Sequence, residues 1–259
     1  MKSSMRKVLI VVAVLALGAS LALPAHASVV YGLDIFSAAT IDSRWSASSG
    51  GPVRTRAPLD PYQLFLGTDI LNGISRNTMT LALTGLPSHT GLKVEFDLYI
   101  IRSWDGNNTS PDNGTPRGPD GWQFAVVGQI PLVDTTFSNI PYVDPYKPDY
   151  NQSYSPTNPV GFGDFLPQTG ADTTVTLQYD DYLGQFGTNA VYHFVFAIPH
   201  TSGTVSLAFT GSPTQLIADE SWGLDNVKVT AVPLPPSVLL LGSGLVGLGL
   251  LGWRRRKTS

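Results

Sequence analysis

Hydrophobic residues along the middle of the chain recur at every second position. Met79, Leu81 and Leu83 alternate with Thr78, Thr80, Ala82 and Thr84, and Leu92, Val94, Phe96, Leu98 and Ile100 alternate with Lys93, Glu95, Asp97 and Tyr99. Val205, Leu207 and Phe209 alternate in the same way with Thr204, Ser206, Ala208 and Thr210. A period of two puts one face of an extended strand in a core and the other in water. Segments 121–128, 173–179 and 190–198 are apolar or aromatic on one or both faces, as central strands are. Turn chemistry separates these runs: Ser49-Gly50-Gly51-Pro52, Asp105-Gly106-Asn107, Gly118-Pro119-Asp120-Gly121 and Gly211-Ser212-Pro213. No stretch between residues 28 and 231 carries a helical stripe.

About ten short strands in one unit of about 205 residues predict an all-β domain over residues 28–231, a two-sheet antiparallel β-sandwich of the jelly-roll kind. One region departs from alternation. Residues 137–168 are rich in proline and carry Tyr142, Tyr146, Tyr150 and Tyr154 at four-residue spacing. A long loop of this kind reads either as a proline-stiffened surface strap or as a groove whose tyrosines stack on sugar faces.

The ends have a different character. Residues 1–27 have a basic start (Lys2, Arg6, Lys7), an apolar run from Val8 to Leu17, Pro24, and then Ala25-His26-Ala27. That is the three-part layout of a secretory signal helix with a small-x-small cleavage site at Ala25 and Ala27, so the mature chain is expected to begin at Ser28 after Sec-type export. At residues 232–259, Val232-Pro233-Leu234-Pro235 leads into an apolar run, 238–253, followed by Arg254-Arg255-Arg256-Lys257. A helix over that run would be about 24 Å long, barely enough to span a bilayer. The basic stop is expected to stay cytoplasmic and to leave the body outside the inner membrane.

This tail resembles the PEP-CTERM sorting signals that exosortases process in Gram-negative bacteria making extracellular polysaccharide, with leucine where the family name has glutamate. The resemblance implies an exosortase-like partner, transient residence in the inner membrane and a final place at the cell surface or in the extracellular matrix. A membrane anchor that is never cut is the competing reading. Leu234-Pro235-Pro236-Ser237-Val238 superficially resembles a sortase signal but lacks its Thr-Gly.

The formal net charge of -3 hides this division, because seven of the 16 basic residues lie at the two ends. Residues 28–232 hold 9 basic against 19 acidic groups, a balance of -10. Such a body lacks the basic footprint of a nucleic-acid binder. With no cysteine, the exported body gains no disulfides and depends on packing, bound ions or both.

Of the acidic residues, 17 are Asp and 2 are Glu. Asp suits tight loops and compact oxygen clusters alike, the latter being what a hard cation such as Ca²⁺ takes. Asp225, in Trp222-Gly223-Leu224-Asp225-Asn226-Val227, has the parity of Val227 and Val229 on an unbroken strand, and a carboxylate on an apolar face needs a partner. Hydrogen-bond donors or a structural Ca²⁺ would serve. Asp219 and Glu220 lie just upstream, and Asp105, Asn107 and Asp120 bracket the loop 104–121. The candidate calcium set is therefore Asp105, Asn107, Asp120, Asp219 and Asp225. The candidate sugar-stacking set is Trp104, Trp122, Tyr142 and Tyr146.

Residues 219–227, together with Phe96-Asp97-Leu98-Tyr99 and Ser103-Trp104-Asp105-Gly106-Asn107, resemble segments of calcium-bearing jelly-roll carbohydrate-binding modules and concanavalin-like domains. What this implies is a fold and an ion, with no named ligand.

Enzymatic readings find little purchase. Concanavalin-like hydrolases carry E-x-D-x-x-E, and here Glu95 and Asp97 are followed by Ile100 at the third position. His89, His193 and His200 have no metalloprotease spacing, and no G-x-S-x-G elbow occurs. The sequence thus points to an exported, non-enzymatic surface or matrix protein that binds polysaccharide or serves structurally. A polysaccharide-acting enzyme is the alternative.

Overall fold

The alternating segments become the longest ladders of the protein. The computed structural model describes residues 27–32, 41–49, 51–56, 64–68, 76–112, 114–140, 150–174, 189–216 and 219–233. The strands are β1 (Ser28–Gly32), β2 (Trp45–Ala47), β3 (Pro52–Arg56), β4 (Leu64–Thr68), β5 (Asn77–Thr84), β6 (Gly91–Arg102), β7 (Pro111–Asp112) and β8 (Thr115–Pro116). They continue as β9 (Gly121–Val126), β10 (Val133–Thr136), β11 (Thr173–Thr174), β12 (Asn189–Pro199), β13 (Thr204–Ser212) and β14 (Glu220–Val232).

One antiparallel sheet has the order β11-β12-β6-β14-β4-β3, with β1 also along β14, and the other has the order β10-β9-β13-β5-β2. From β5 onward the chain crosses repeatedly between the sheets. The ribbon β1-β14-β6-β12 therefore faces β5-β13-β9-β10, which is jelly-roll connectivity. The expected signal helix, the apolar run 238–253 and the expected basic stop lie outside the described residues. Among the described residues no helix is long and apolar enough to cross a membrane.

The pattern of period two is what makes the sandwich. Leu92, Val94, Phe96, Leu98 and Ile100 of β6 are all buried between the sheets, while Lys93 and Asp97 face outward with partial or full exposure. The Phe96 ring bridges the layers, 5.0 Å from Phe124, 5.2 Å from Phe209 and 5.9 Å from Trp122, all on the opposite sheet. Such aromatic pairs contribute about 0.5–1.5 kcal/mol each beyond the area they bury. Trp222 of β14 lies directly over Gly211 of β13, where a Cβ would sit 2.1 Å from the indole Nε1. Only glycine permits that approach.

Two expectations change. Between Asp225 and Lys228, β14 advances three residues while β6 advances two, from Asp97 to Glu95. This bulge is centred on Asn226, whose φ of 51° lies in the left-handed region that Asn tolerates. Parity flips across it: Trp222 and Leu224 face the core before the bulge, and Val227, Val229 and Ala231 face it after. Asp225 pairs with Asp97 and so sits on the outer face, where the Tyr99 hydroxyl donates to its Oδ2 at 3.1 Å.

The second change concerns residues 150–168, where 152–155 are buried while most of 156–166 lies at the surface. Gln152 is fully buried. Its Oε1 accepts from the Ser138 and Gln168 amides, both at 3.1 Å, and its Nε2 donates to the carbonyls of Tyr154 and Thr169, both at 3.0 Å. Those four bonds stand in for the ladder the segment lacks. Tyr154 packs 4.8 Å from Phe137 inside the core.

Candidate metal centre

The end of β6 and the start of β14 are neighbours, with Arg102 opposite Glu220. Asp105 follows β6 by three residues, and Asp120 immediately precedes β9 of the other sheet. The loop between them is drawn back onto this end by the Asp120 amide, which donates to Gly106 O at 2.9 Å, and the Phe137 amide, which donates to Asp120 O at 3.1 Å. Gly106 makes the turn possible. Its φ is +65°, and a Cβ there would meet Asn151 O at 2.4 Å.

Asp105, Asp120 and Glu220 therefore converge: one carboxylate oxygen from each lies within 4.8 Å of the others, and all three residues are buried. The Asp105 amide donates to Asp120 Oδ2 at 2.5 Å, the Thr214 amide to Asp120 Oδ1 at 3.2 Å, and the Gln215 amide to Glu220 Oε2 at 2.8 Å. Glu220 Oε1 is buried, and among the described residues no hydrogen-bond donor reaches it.

Burial pushes the Asp120 carboxyl up to about 7 against the pull of its hydrogen bonds. Burial and the adjacent Asp120 push Glu220 up to about 11. The largest influences on both groups are burial and each other, with no cation among them. Buried carboxylates in this state must hold protons or share a cation. An all-oxygen set of three carboxylates suits a hard divalent ion, and the flexible coordination of Ca²⁺ suits ligands drawn from two loops and a strand end.

Of the five residues expected to hold calcium, the structure brings together Asp105 and Asp120, with Glu220 as the third. Asn107 is engaged elsewhere. Its Oδ1 accepts from Thr136 Oγ1 at 2.5 Å and Ser153 Oγ at 2.8 Å, and its Nδ2 donates to Gly163 O at 3.0 Å. Asp219 accepts from the Ser103 hydroxyl. Asp225 belongs to the outer face with Tyr99, because the bulge turns it away from the interior. Glu220 was legible: it has the parity of Trp222 and Leu224 on an unbroken stretch of strand, which places it at the end of the core face.

The sugar-stacking set also changes. Trp104 is 0% exposed, with its Nε1 donating to Ser221 O at 2.8 Å, and Trp122 is 1% exposed between the sheets. Neither offers a face to a ligand. Tyr142 and Tyr146 lie outside the described residues. Tyr150 is half-buried and its hydroxyl accepts from Arg117. Glu95 and Asp97 stand on the outer sheet face, Glu95 paired with Lys93 at 2.7 Å and Asp97 with His193 and Asn226, both at 2.6 Å.

No family model matches the chain, and no curated protein matches it. Among solved structures, the cleaved K3 adhesin domain of Lys-gingipain from Porphyromonas gingivalis is similar over 79% of this chain and 100% of its own, at 11% identity and a TM-score of 0.37. A 4-O-methyl-α-glucuronidase with specificity for decorated arabinogalactans is similar over 70% of this chain and 16% of its own, at 10% identity and a TM-score of 0.30.

Proposed function

We propose that this chain is an exported, non-enzymatic surface or matrix module, a jelly roll whose loop end is completed by Ca²⁺ and whose opposite end carries the sorting tail. The observation that carries the reading is the buried triad of Asp105, Asp120 and Glu220 with its unpartnered Glu220 Oε1. A cation there discharges the electrostatic cost that protons otherwise meet. Export supports it, because the cell exterior supplies calcium at the concentrations that extracellular modules bind, about 10⁻⁴–10⁻³ M.

The non-enzymatic reading has its own support. Asp120 and Glu220 hydrogen-bond to each other, closer than the roughly 5–9.5 Å of a glycosidase pair, and both are 0% exposed, so a glycosidic bond does not reach them. A polysaccharide remains the ligand class to try, without Trp104 and Trp122 as its platform.

The test is a pair of melting curves at pH 7.5, one with calcium and one with chelator. Calcium at 100 times its dissociation constant adds about 2.7 kcal/mol, a rise of roughly 5–10 °C for a domain of this size. Coincident curves contradict the site. For sorting, the truncation begins at Leu234, because Val232 still pairs with Gly91 in the ladder. Removing 234–259 releases the body into the medium, and unchanged surface retention contradicts the tail's role.

A further inference from the structure

The end of the sandwich from which the tail departs holds a pair of histidines that neither the metal centre nor the sorting tail uses. His89, in the turn between β5 and β6, is 4% exposed. Its Nε2 lies 2.8 Å from His200 Nδ1, and the two rings meet edge to edge, nearly coplanar, with centroids 5.1 Å apart and planes 13° from parallel. His200 sits in the turn between β12 and β13.

The hydrogen bonds fix the tautomers. His89 Nδ1 is 2.5 Å from Pro87 O, and since a carbonyl only accepts, Nδ1 carries the proton. The His89 Nε2 lone pair then accepts from His200 Nδ1–H, and a further proton on His200, which the Thr204 backbone beside it favours, leaves the pair undisturbed. A second proton has to go on His89 Nε2. It would set N–H against N–H at 2.8 Å and place two cations edge to edge, one of them almost wholly buried.

Three segments meet at this pair. The His200 amide donates to Thr90 O at 3.2 Å, the Thr90 amide donates to Val232 O at 2.8 Å, and the Leu86 amide donates to Gly203 O at 3.0 Å. Val232 and Pro233 are where the chain leaves the ladder. Residues 86–90, 199–204 and 231–233 contain no other ionisable side chain. Along the strands leaving this end, the first ionisable side chains are Lys93 on β6, His193 on β12 and Lys228 on β14; β5 has none before Arg76 beyond its far end, and β13 has none. Lys93 is already paired with Glu95. Once the signal is removed, the Ser28 α-ammonium, opposite Ala231, adds a further positive charge at this end. No carboxylate in these turns stands ready to stabilise a doubly charged pair.

We propose that His89 and His200 form a pH-sensitive clasp that ties both turns to the departing chain at Val232 when neutral and opens in mildly acid surroundings. Burial, and then the neighbouring His89, hold His200 below the ordinary 6.5. For a base with a lowered folded pKa, the contribution to stability is full above 6.5 and is lost as the pH falls below it.

Amide hydrogen exchange on the purified protein tests this, with rates corrected for the intrinsic effect of pH. Between pH 7.5 and 5, protection at Thr90 and His200 is expected to fall about tenfold, the ordinary net worth of one hydrogen bond, while Phe96 in mid-ladder keeps its protection. In His89→Gln the fall disappears. An undiminished wild type, or an equal fall in the variant, overturns the clasp. Should the variant fail to fold, imidazole titration by NMR in the wild type decides: the clasp requires two separated steps with the lower one below 6.5, and two independent steps near 6.5 refute it.

Discussion

At the end of the sandwich where β6 finishes and β14 begins, three carboxylates are buried together. At the end where β14 finishes and β6 begins, two imidazoles share a hydrogen bond in turns that hold no carboxylate. The two ends are joined by the same strands, about 40 Å apart at the rise of an extended chain, and share one aromatic core. The acidic end can be relieved by a divalent cation or by protons, so it is strongest with calcium or in acid. The imidazole end is relieved by losing protons, so it weakens in acid. A single fall in pH therefore pushes the two ends in opposite directions, and the core between them is indifferent to it.

The largest expected effect leaves that contrast untouched. Phe96→Ala removes the ring between the layers and costs about 3–5 kcal/mol, and it lowers the melting temperature equally with calcium and with chelator. An altered gap between the two curves would mean that the core and the acidic end are coupled. Next in size is Glu220→Gln, which removes a carboxyl ligand without changing shape. It abolishes the calcium-dependent rise of about 2.7 kcal/mol in the same melting assay.

Gly106→Ala drives a Cβ into Asn151 O at a positive φ. It is expected to cost about 1–3 kcal/mol and to weaken calcium affinity through the displaced Asp105, as read by calcium titration. The substitution leaves exchange at Thr90 unchanged, which keeps the two ends separable.

A further effect, on the same metal-free site, concerns pH in the presence of chelator. Asp120 and Glu220 bind protons more tightly in the folded protein, about 7 and about 11, than the ordinary 3.8 and 4.5 of free carboxyls. Their contribution is full below about 4 and is lost as the pH rises through 7. The wild type should therefore lose melting temperature relative to Glu220→Gln between pH 4.5 and 7.5 in chelator, and calcium should flatten the difference.

The fold was legible where periodicity was clean. The alternation at 78–84, 92–100 and 204–210 leads directly to β5, β6 and β13, and all three carry the predicted inward residues. It was legible to within a residue or two for β9 and β12. The site was half legible. Asp105 and Asp120 follow from turn chemistry, but parity was followed through Asp225, where a single extra residue at Asn226 reverses it. No local pattern announces which side of a bulge a carboxylate takes; Asn at a positive φ is the only cue. Trp104 and Trp122 were misassigned because an aromatic beside a turn looks the same whether it faces water or the opposite sheet. The segment 150–168 hid its order because Gln152 replaces ladder bonds with side-chain ones, and these have no period.

The account rests most heavily on one cation at Asp105, Asp120 and Glu220. Calorimetric titration of calcium into the metal-stripped protein at pH 7.5, repeated for Glu220→Gln, measures it directly. One binding site in the wild type, with an observed enthalpy that varies linearly with the buffer's ionisation enthalpy because protons are released, and loss of binding in the variant are expected. Absence of binding in the wild type, or equal affinity in Glu220→Gln, would contradict the metal centre.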